Sequence, residues 1–456
     1  MSAPKDQSSS WLRRHLGVVR LRQIADRIRH RLSFVPMLYV GGAIVLVQAL
    51  LVFDRTLNDQ ALPGWLETTV DSARSVFTAM AGGLITSITL LLSMMLVAVQ
   101  LASTQFSPRT LRDWLGNRTL QHAIGLVLGT TVFCLLALRS TRDLGDDGDG
   151  IVPHVTVLVA VALGVLSLVA VVRSVDHLTQ SVRVGSVADR VAAETIDVVD
   201  RVDDTVPSGQ APEVLPGTHP DLRGLVDVPT GAAAVEAPVA GWIQQMDTEA
   251  LLDAIPDGSS AFVAVSIGGF VPAGAPLVWI DPPPSDDHPA RSHALEAFAL
   301  GDSRTMQQDV EFGLVQLTDI AVRALSPGVN DPTTACDVIV HIGDVLISIW
   351  ARQEPSTTRT RDGRTVVLMR TQHVAYLDRA LGPIRRYGRT DPEVMTTLLR
   401  TITLVRSETL RRGLPGPIEP LDTAIADTTS AADTTGWSRN EIVQFESVVG
   451  SRPIVK

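Results

Sequence analysis

The densest run of chemistry-bearing side chains is Gln308-Asp309-x-Glu311, followed by Asp319, Arg323, Asn330 and Asp331. Oxygen ligands of this type hold Mg²⁺ or Ca²⁺, and paired carboxylates do acid–base work. The same residues also read as polar packing. Asp309, Gln316 and Arg323 recur every seven residues, Asp319 stands four before Arg323 as an ion pair, and Asp331 precedes Pro332 as a helix N-cap. Packing is the reading expected for this polar or divalent cluster, and no metal and no catalytic residue is assigned to it. His341 and His373 lack a neighbouring nucleophile or a metal-ligand spacing, and Arg385-Arg386-Tyr387 reads as a solvated face. Cys134 and Cys336 form neither a disulfide framework nor a zinc site. Lys5 and Lys456 are the only lysines, so 37 of the 39 basic residues are arginine. That excludes a Walker-type phosphate loop, a Schiff base, and biotin or lipoyl attachment. No cofactor is expected, and no nucleic-acid partner.

What positions these residues starts with lipid. The 456 residues are 45% hydrophobic but only 19% charged, against about 25% charge in soluble chains, and mean hydropathy is +0.21. The excess sits in four stretches without Asp, Glu, Lys or Arg: 35–53, 76–101, 120–138 and 151–172. Each is long enough to cross a hydrocarbon core of about 30 Å. Their flanks alternate basic, acidic, basic, acidic, beginning with eight basic residues in 1–34. The expectation is a multi-pass protein of the bacterial inner membrane with both termini cytoplasmic. Within the first segment Arg13, Arg20, Arg27 and Arg31 fall near heptad spacing. They read as a topology signal or as an amphipathic helix on anionic lipid.

Inside the second stretch Thr86, Ser93 and Gln100 recur every seven residues with Thr89 between, so all four share one helical face. This stripe reads either as packing within one bundle or as the lining of a narrow aqueous path in a homo-oligomer. Gly125 and Gly129 in the third stretch, and Ala160 and Gly164 in the fourth, are small residues four apart, which let helices approach closely. No ionisable residue sits at mid-membrane, which disfavours a proton-coupled carrier.

The fold class expected is a four-helix transmembrane bundle with a cytoplasmic α+β region. Residues 173–228 read as an amphipathic helix and an acidic linker. Short β-branched runs broken by Gly and Pro make 229–284 a small β module. Its halves are similar to a biotinyl/lipoyl-type barrel-sandwich hybrid without the carrier lysine. Residues 285–420 read as a helical domain, with one helix over 304–325, and 421–456 as a loosely ordered tail.

Three motifs carry a family resemblance: Gln100-Leu-Ala-Ser-Thr-Gln-Phe-Ser-Pro-Arg109, Gln308-Asp309-Val-Glu311-Phe-Gly313, and Asp319-Ile-Ala-x-Arg323-Ala-Leu-Ser-Pro327-Gly-x-Asn330-Asp331-Pro332. With Arg385-Arg386-Tyr387-Gly388 they resemble the bacterial predicted membrane proteins called domain of unknown function 2254. The resemblance implies a multi-span protein with a cytosolic domain and brings no established activity. The leading functional expectation is an oligomeric passive channel or its regulatory subunit. The alternatives are a membrane-anchored scaffold or sensor without a pore, and a membrane enzyme using Asp309, Glu311 and Asp331.

Overall fold

The computed structural model describes residues 34–57, 69–105, 118–141, 153–181, 184–203, 228–285 and 288–450. Arg13, Arg20, Arg27 and Arg31 lie outside these. The chain divides near residue 186 into two compact units.

The first unit is a helical bundle of α1 (Phe34–Leu57), α2 (Val70–Gln105), α3 (Arg118–Ser140) and α4 (His154–Ser181). Each runs past the C-terminal end of its apolar stretch, because polar ends continue a helix once its backbone bonds are running. Helix α3 is the hub, packing on α1, α2 and α4. Val47, Phe77, Phe133, Cys134 and Ala160 are buried side chains of this core.

The second unit carries α5 (Val184–Asp203) and then alternates strands with helices. In order come β1 (Ala233–Glu236), β2 (Gly241–Met246), α6 (Thr248–Ala254), β3 (Ser260–Val263), β4 (Phe270–Val271), β5 (Pro276–Asp281), α7 (Ala290–Glu296) and β6 (Phe298–Gly301). There follow α8 (Val310–Ala324), α9 (Pro332–Trp350), β7 (Thr358–Arg361), β8 (Arg364–Val367), α10 (His373–Gly388), α11 (Pro392–Arg412), α12 (Glu419–Ala431) and α13 (Arg439–Gly450).

Two sheets result, one ordered β1-β5-β3-β8-β7 and one β4-β2-β6. The β module is therefore not confined to 229–284. Strand β8 pairs parallel with β3, Ser260 opposite Thr365, and β6 joins β2. The β7–β8 hairpin turns through Asp362 (φ 51) and Gly363 (φ 75), the left-handed pair that a two-residue type I′ turn requires.

Two further sequence expectations change, and a third, the count of spans, holds only as several apolar helices. The helix expected over 304–325 begins only at Val310, because Asp309 caps it and the preceding residues are held in a turn. Residues 421–450 are not a loose tail: Leu421, Ala424 and Ile425 of α12 are buried, and Phe445 of α13 is buried with Trp437 edge-on to its ring. Apolar spacing within a Thr- and Asp-rich composition was enough to dock both helices. Among the described residues five helices, not four, have the length and composition to cross a membrane. They are Phe34–Thr56, Val70–Val97, Thr119–Ser140, His154–Asp176 and Pro332–Trp350. The fifth is α9, whose Ala335, Val338, Ile342, Leu346 and Trp350 are buried in the second unit among α8, α10 and α11.

Candidate functional site

In the bundle, α2 buries one face and exposes the other, on which Ile85, Leu90, Leu92, Leu96 and Val97 stand among polar residues. Leu84, Leu91 and Met95 are buried against the other helices. Thr86, Thr89, Ser93 and Gln100 are exposed on the opposite side, along with Gly82 and Gly83, around which nothing lies within 4 Å. The hydroxyls bond to their own helix: Thr86 to Gly82 O (3.0 Å), Thr89 to Ile85 O (2.8 Å) and Ser93 to Thr89 O (2.8 Å). This back-bonding satisfies the hydroxyl hydrogens within one helix and leaves oxygen lone pairs facing outward.

The small residues of α3 and α4 are where helices meet. A side chain at Gly125 would stand 2.7 Å from the Tyr39 ring, and one at Gly129 3.0 Å from the Tyr39 carbonyl, so α1 lies directly on α3 there. Tyr39 also reaches His122, hydroxyl to Nδ1 at 3.2 Å. Gly164 leaves room for Met80, and Ala160 is fully buried.

Sequence reasoning missed two polar links in this unit. Asp54, in the last turn of α1, is wholly buried and accepts from Val155 N (2.9 Å), Thr156 N (3.1 Å) and the Thr156 hydroxyl (2.6 Å). It caps α4 from another helix, satisfying amides that no intrahelical carbonyl can reach. An acid at the edge of an apolar run was the available signal. Thr130 and Ser167 hydrogen-bond at 3.0 Å between α3 and α4.

In the second unit a charged network gathers at the start of α8. The Asp309 side chain is nearly buried and accepts from Phe312 N (2.9 Å), closing the first turn. Arg304 grips the same carboxylate with Nε (2.9 Å) and Nη2 (2.7–3.0 Å), while its guanidinium lies 5.2 Å from the Phe312 ring centroid. That fork is the geometry in which a guanidinium–carboxylate pair is strongest. Glu311 takes Arg304 at 3.6 Å and pairs with Arg379 of α10. Burial raises the Asp309 carboxyl above its ordinary range, against the lowering pull of Arg304 and of the Phe312 amide.

Backbone from the β region covers this pair. Gly268, at φ +77, passes so near that a Cβ would fall 1.9 Å from an Asp309 oxygen and 2.7 Å from Arg304 Nη2. The loop is pinned on β2 by Gly268 N to Ile243 O (2.8 Å) and Ile243 N to Gly269 O (2.9 Å). Gln308 Oε1 accepts from Met246 N (2.9 Å) and Gln244 Nε2 donates to Ser303 O (2.8 Å). From α10 comes Tyr376, whose phenol is pushed up to about 12, chiefly by burial and further by Asp309 and Glu311. Gly313 serves close approach as well: a Cβ there would lie 2.0 Å from the Thr195 hydroxyl of α5.

The rest of the predicted cluster sits elsewhere. Asp331 caps α9 through Thr334 N (3.1 Å) and the Thr334 hydroxyl (2.6 Å), which lowers its pKa. Asn330 takes the left-handed conformation (φ 50) that turns the chain between α8 and α9, with Asp331 N bonded to Ala324 O (2.8 Å). Asp309 and Asp331 thus flank opposite ends of a 15-residue helix, about 22 Å apart at 1.5 Å per residue. Asp319 lies midway along α8 and is itself engaged. Among the described residues no group of three or more His, Cys, Asp or Glu is placed to hold a metal ion.

A second ionic set was not foreseen. Arg359 pairs with Glu249 (2.5 Å), Arg361 with Glu249 and Asp253, and Arg364 with Asp257 (2.5 Å), fastening the β7–β8 hairpin to α6. His373 is buried, stacks on Trp350 at 5.1 Å and faces Glu354 at 3.4 Å; burial lowers its pKa.

Comparison with known proteins gives kinship without activity. The uncharacterized proteins Rv1290c of Mycobacterium tuberculosis and Mb1321c of Mycobacterium bovis are each 29% identical over 398 residues, covering 85% of this chain and 74% of theirs. No solved structure matches. Residues 29–403 match the family described as "Predicted membrane protein (DUF2254)". That span takes in the apolar helices, both sheets and the Arg304–Asp309 network, and the chain is a member of this membrane protein family.

Proposed function

We propose that the chain assembles as a homo-oligomer in the bacterial inner membrane, with four spans and the outward face of α2 turned towards a passive, water-accessible path. The observation that supports this is the polar row Gly82, Gly83, Thr86, Thr89, Ser93 and Gln100 on the outward side of α2, where it stands beside exposed Ile85, Leu90, Leu92, Leu96 and Val97. Helix α4 turns Leu158, Val165, Leu168 and Val172 outward with no such polar row among them, a surface suited to acyl chains. A Gln amide and a row of small residues gain little from lipid and more from a neighbouring helix or water. In this reading α9 stays with the second unit, which lies on the cytoplasmic side and supports assembly.

The enzyme reading is weaker, since Asp309 and Glu311 each hold a guanidinium and Asp331 is occupied as a cap. Single cysteines at 86, 93 and 100, in a background without Cys134 and Cys336, test the proposal in native membranes. The expected result is disulfide-linked dimers and reaction with small water-soluble thiol reagents. Monomers whose cysteines at all three positions are protected would overturn it.

A further inference from the structure

Separate stretches of the second unit meet at one buried pair of rings. His373, the first residue of α10, has a side chain only 2% exposed and stacks on Trp350 at the end of α9, with ring centroids 5.1 Å apart and planes at 30°. Trp350 in turn fastens the 413–418 loop that leads into α12. Its Nε1 donates to Pro417 O (2.8 Å), and its carbonyl accepts from Gly416 N (3.0 Å). A Cβ on Gly416 would fall 2.5 Å from the indole, so only glycine lets the loop lie this close. Glu354, in the connection between α9 and β7, caps α10 in place of Gln372, whose side chain makes no capping bond. Its Oε1 and Oε2 accept from His373 N at 3.1 and 3.4 Å. The imidazole Nδ1 is buried without a hydrogen-bond partner, with Glu354 Oε1 3.4 Å away.

A proton on this ring places a positive charge among apolar surfaces and at the N-terminal end of a helix, where the macrodipole opposes it. Glu354 is the charged group that offsets it, and at 42% exposure water screens much of that attraction. The last turn of α9 and the 413–418 loop carry no charge, and Glu419 at the start of α12 is exposed. Arg352 is turned to Asp200 of α5 (2.7 Å) and Arg379 of α10 to Glu311. Along the chain Arg370 stands three residues before His373 and Asp378 five after it. Burial outweighs the carboxylate and holds the imidazole below its ordinary 6.5. The stability that the neutral ring contributes is therefore complete above pH 6.5 and is lost as pH falls from there through the folded value. We propose that Trp350, His373 and Glu354 form an acid-released latch: proton uptake by the imidazole opens the first turn of α10 and the 413–418 loop, while α8 and α11 stay folded. This is independent of the oligomeric path proposed above.

The test follows amide hydrogen exchange of the full chain purified in detergent, with each pH scaled to the exchange of the unfolded chain at that pH. Protection over the first turn of α10 and the 413–418 loop should fall by about three- to thirtyfold between about pH 7.5 and 5, the upper figure being the ceiling for an open-state value near 6.5. Helices α8 and α11 should keep their protection. His373→Phe retains a flat ring against Trp350 but cannot take a proton, and should abolish the acid response. Glu354→Gln keeps an acceptor for His373 N and removes the offsetting charge, so it should enlarge the loss on the acid side. If His373→Phe does not fold, Glu354→Gln carries the test alone. Protection that does not change with pH would overturn the proposal, as would an equal loss in His373→Phe, an unchanged or smaller loss in Glu354→Gln, or a loss shared by α8 and α11.

Discussion

The two units of this chain handle polar groups in opposite ways. In the bundle, polarity is local: hydroxyls bond to carbonyls of their own helix, and the α2 stripe stands on the outside. In the α/β unit, polarity is long-range and internal, with Arg304, Asp309, Glu311 and Arg379 joining the turn before α8, α8 itself and α10 under a loop from the β region. A helix inserted in lipid must satisfy its groups alone or by neighbouring helices. A water-exposed unit can assemble ionic contacts while the surrounding core closes over them. The bundle departs from its own rule where Thr130 meets Ser167, where Tyr39 meets His122, and most fully at Asp54, which reaches from one helix to cap another.

Breaking the internal network should have the largest effect. Asp309→Ala leaves Arg304 without its buried partner and α8 without its cap, and is expected to destabilise the second unit by about 3–5 kcal/mol in denaturant unfolding. A double variant, Arg304→Met with Asp309→Leu, should recover part of that loss. Alkaline pH probes the same region. Tyr376 ionises near 12 folded and near 10 unfolded, so below pH 10 its contribution is complete, and it is lost as pH rises through 12. Roughly 3 kcal/mol should disappear across that window in wild type and not in Tyr376→Phe. Gly268→Ala adds a Cβ where the backbone is left-handed and Asp309 is in the way; a loss of about 1–3 kcal/mol is expected in thermal unfolding. Asp54→Ala removes the cross-helix cap and should cost about 1–2 kcal/mol, read by resistance of the bundle to denaturing detergent. The smallest effect on folding falls on the stripe. Thr86→Val should change bundle stability by less than about 0.5 kcal/mol, because the back-bonded hydroxyl supports no other helix, while weakening cross-linking between copies. A bundle that unfolds with Thr86→Val but tolerates Asp54→Ala would reverse the comparison.

The apolar helices were legible because lipid imposes length and composition on a contiguous stretch. The caps were legible too: Asp331-Pro332 announces the start of α9 in two residues. The β region was not, since β3 and β8 pair across 105 residues and no local pattern encodes a parallel neighbour. The β7–β8 hairpin did leave a signal, Asp362-Gly363 between arginines and threonines, but four-residue strands of such polarity resemble loop. The polar cluster was half legible. Adjacency in sequence placed Asp309 and Glu311 together, yet Arg304 looked like a helix residue, and Gly268 lies in a loop 41 residues before Asp309. Asn330 resembled a ligand by its side chain, whereas the fold uses its backbone.

The pairing of β8 with β3 also constrains the birth of the protein. During synthesis β3 and β5 leave the ribosome with one sheet edge open, and α8 and α9 are made before the strand that covers it. Until residue 367 has emerged, that edge offers unpaired amides and carbonyls to any passing chain. A nascent chain arrested between 300 and 355 should therefore be the most aggregation-prone and chaperone-dependent stage, although its apolar helices α1–α4 are already complete.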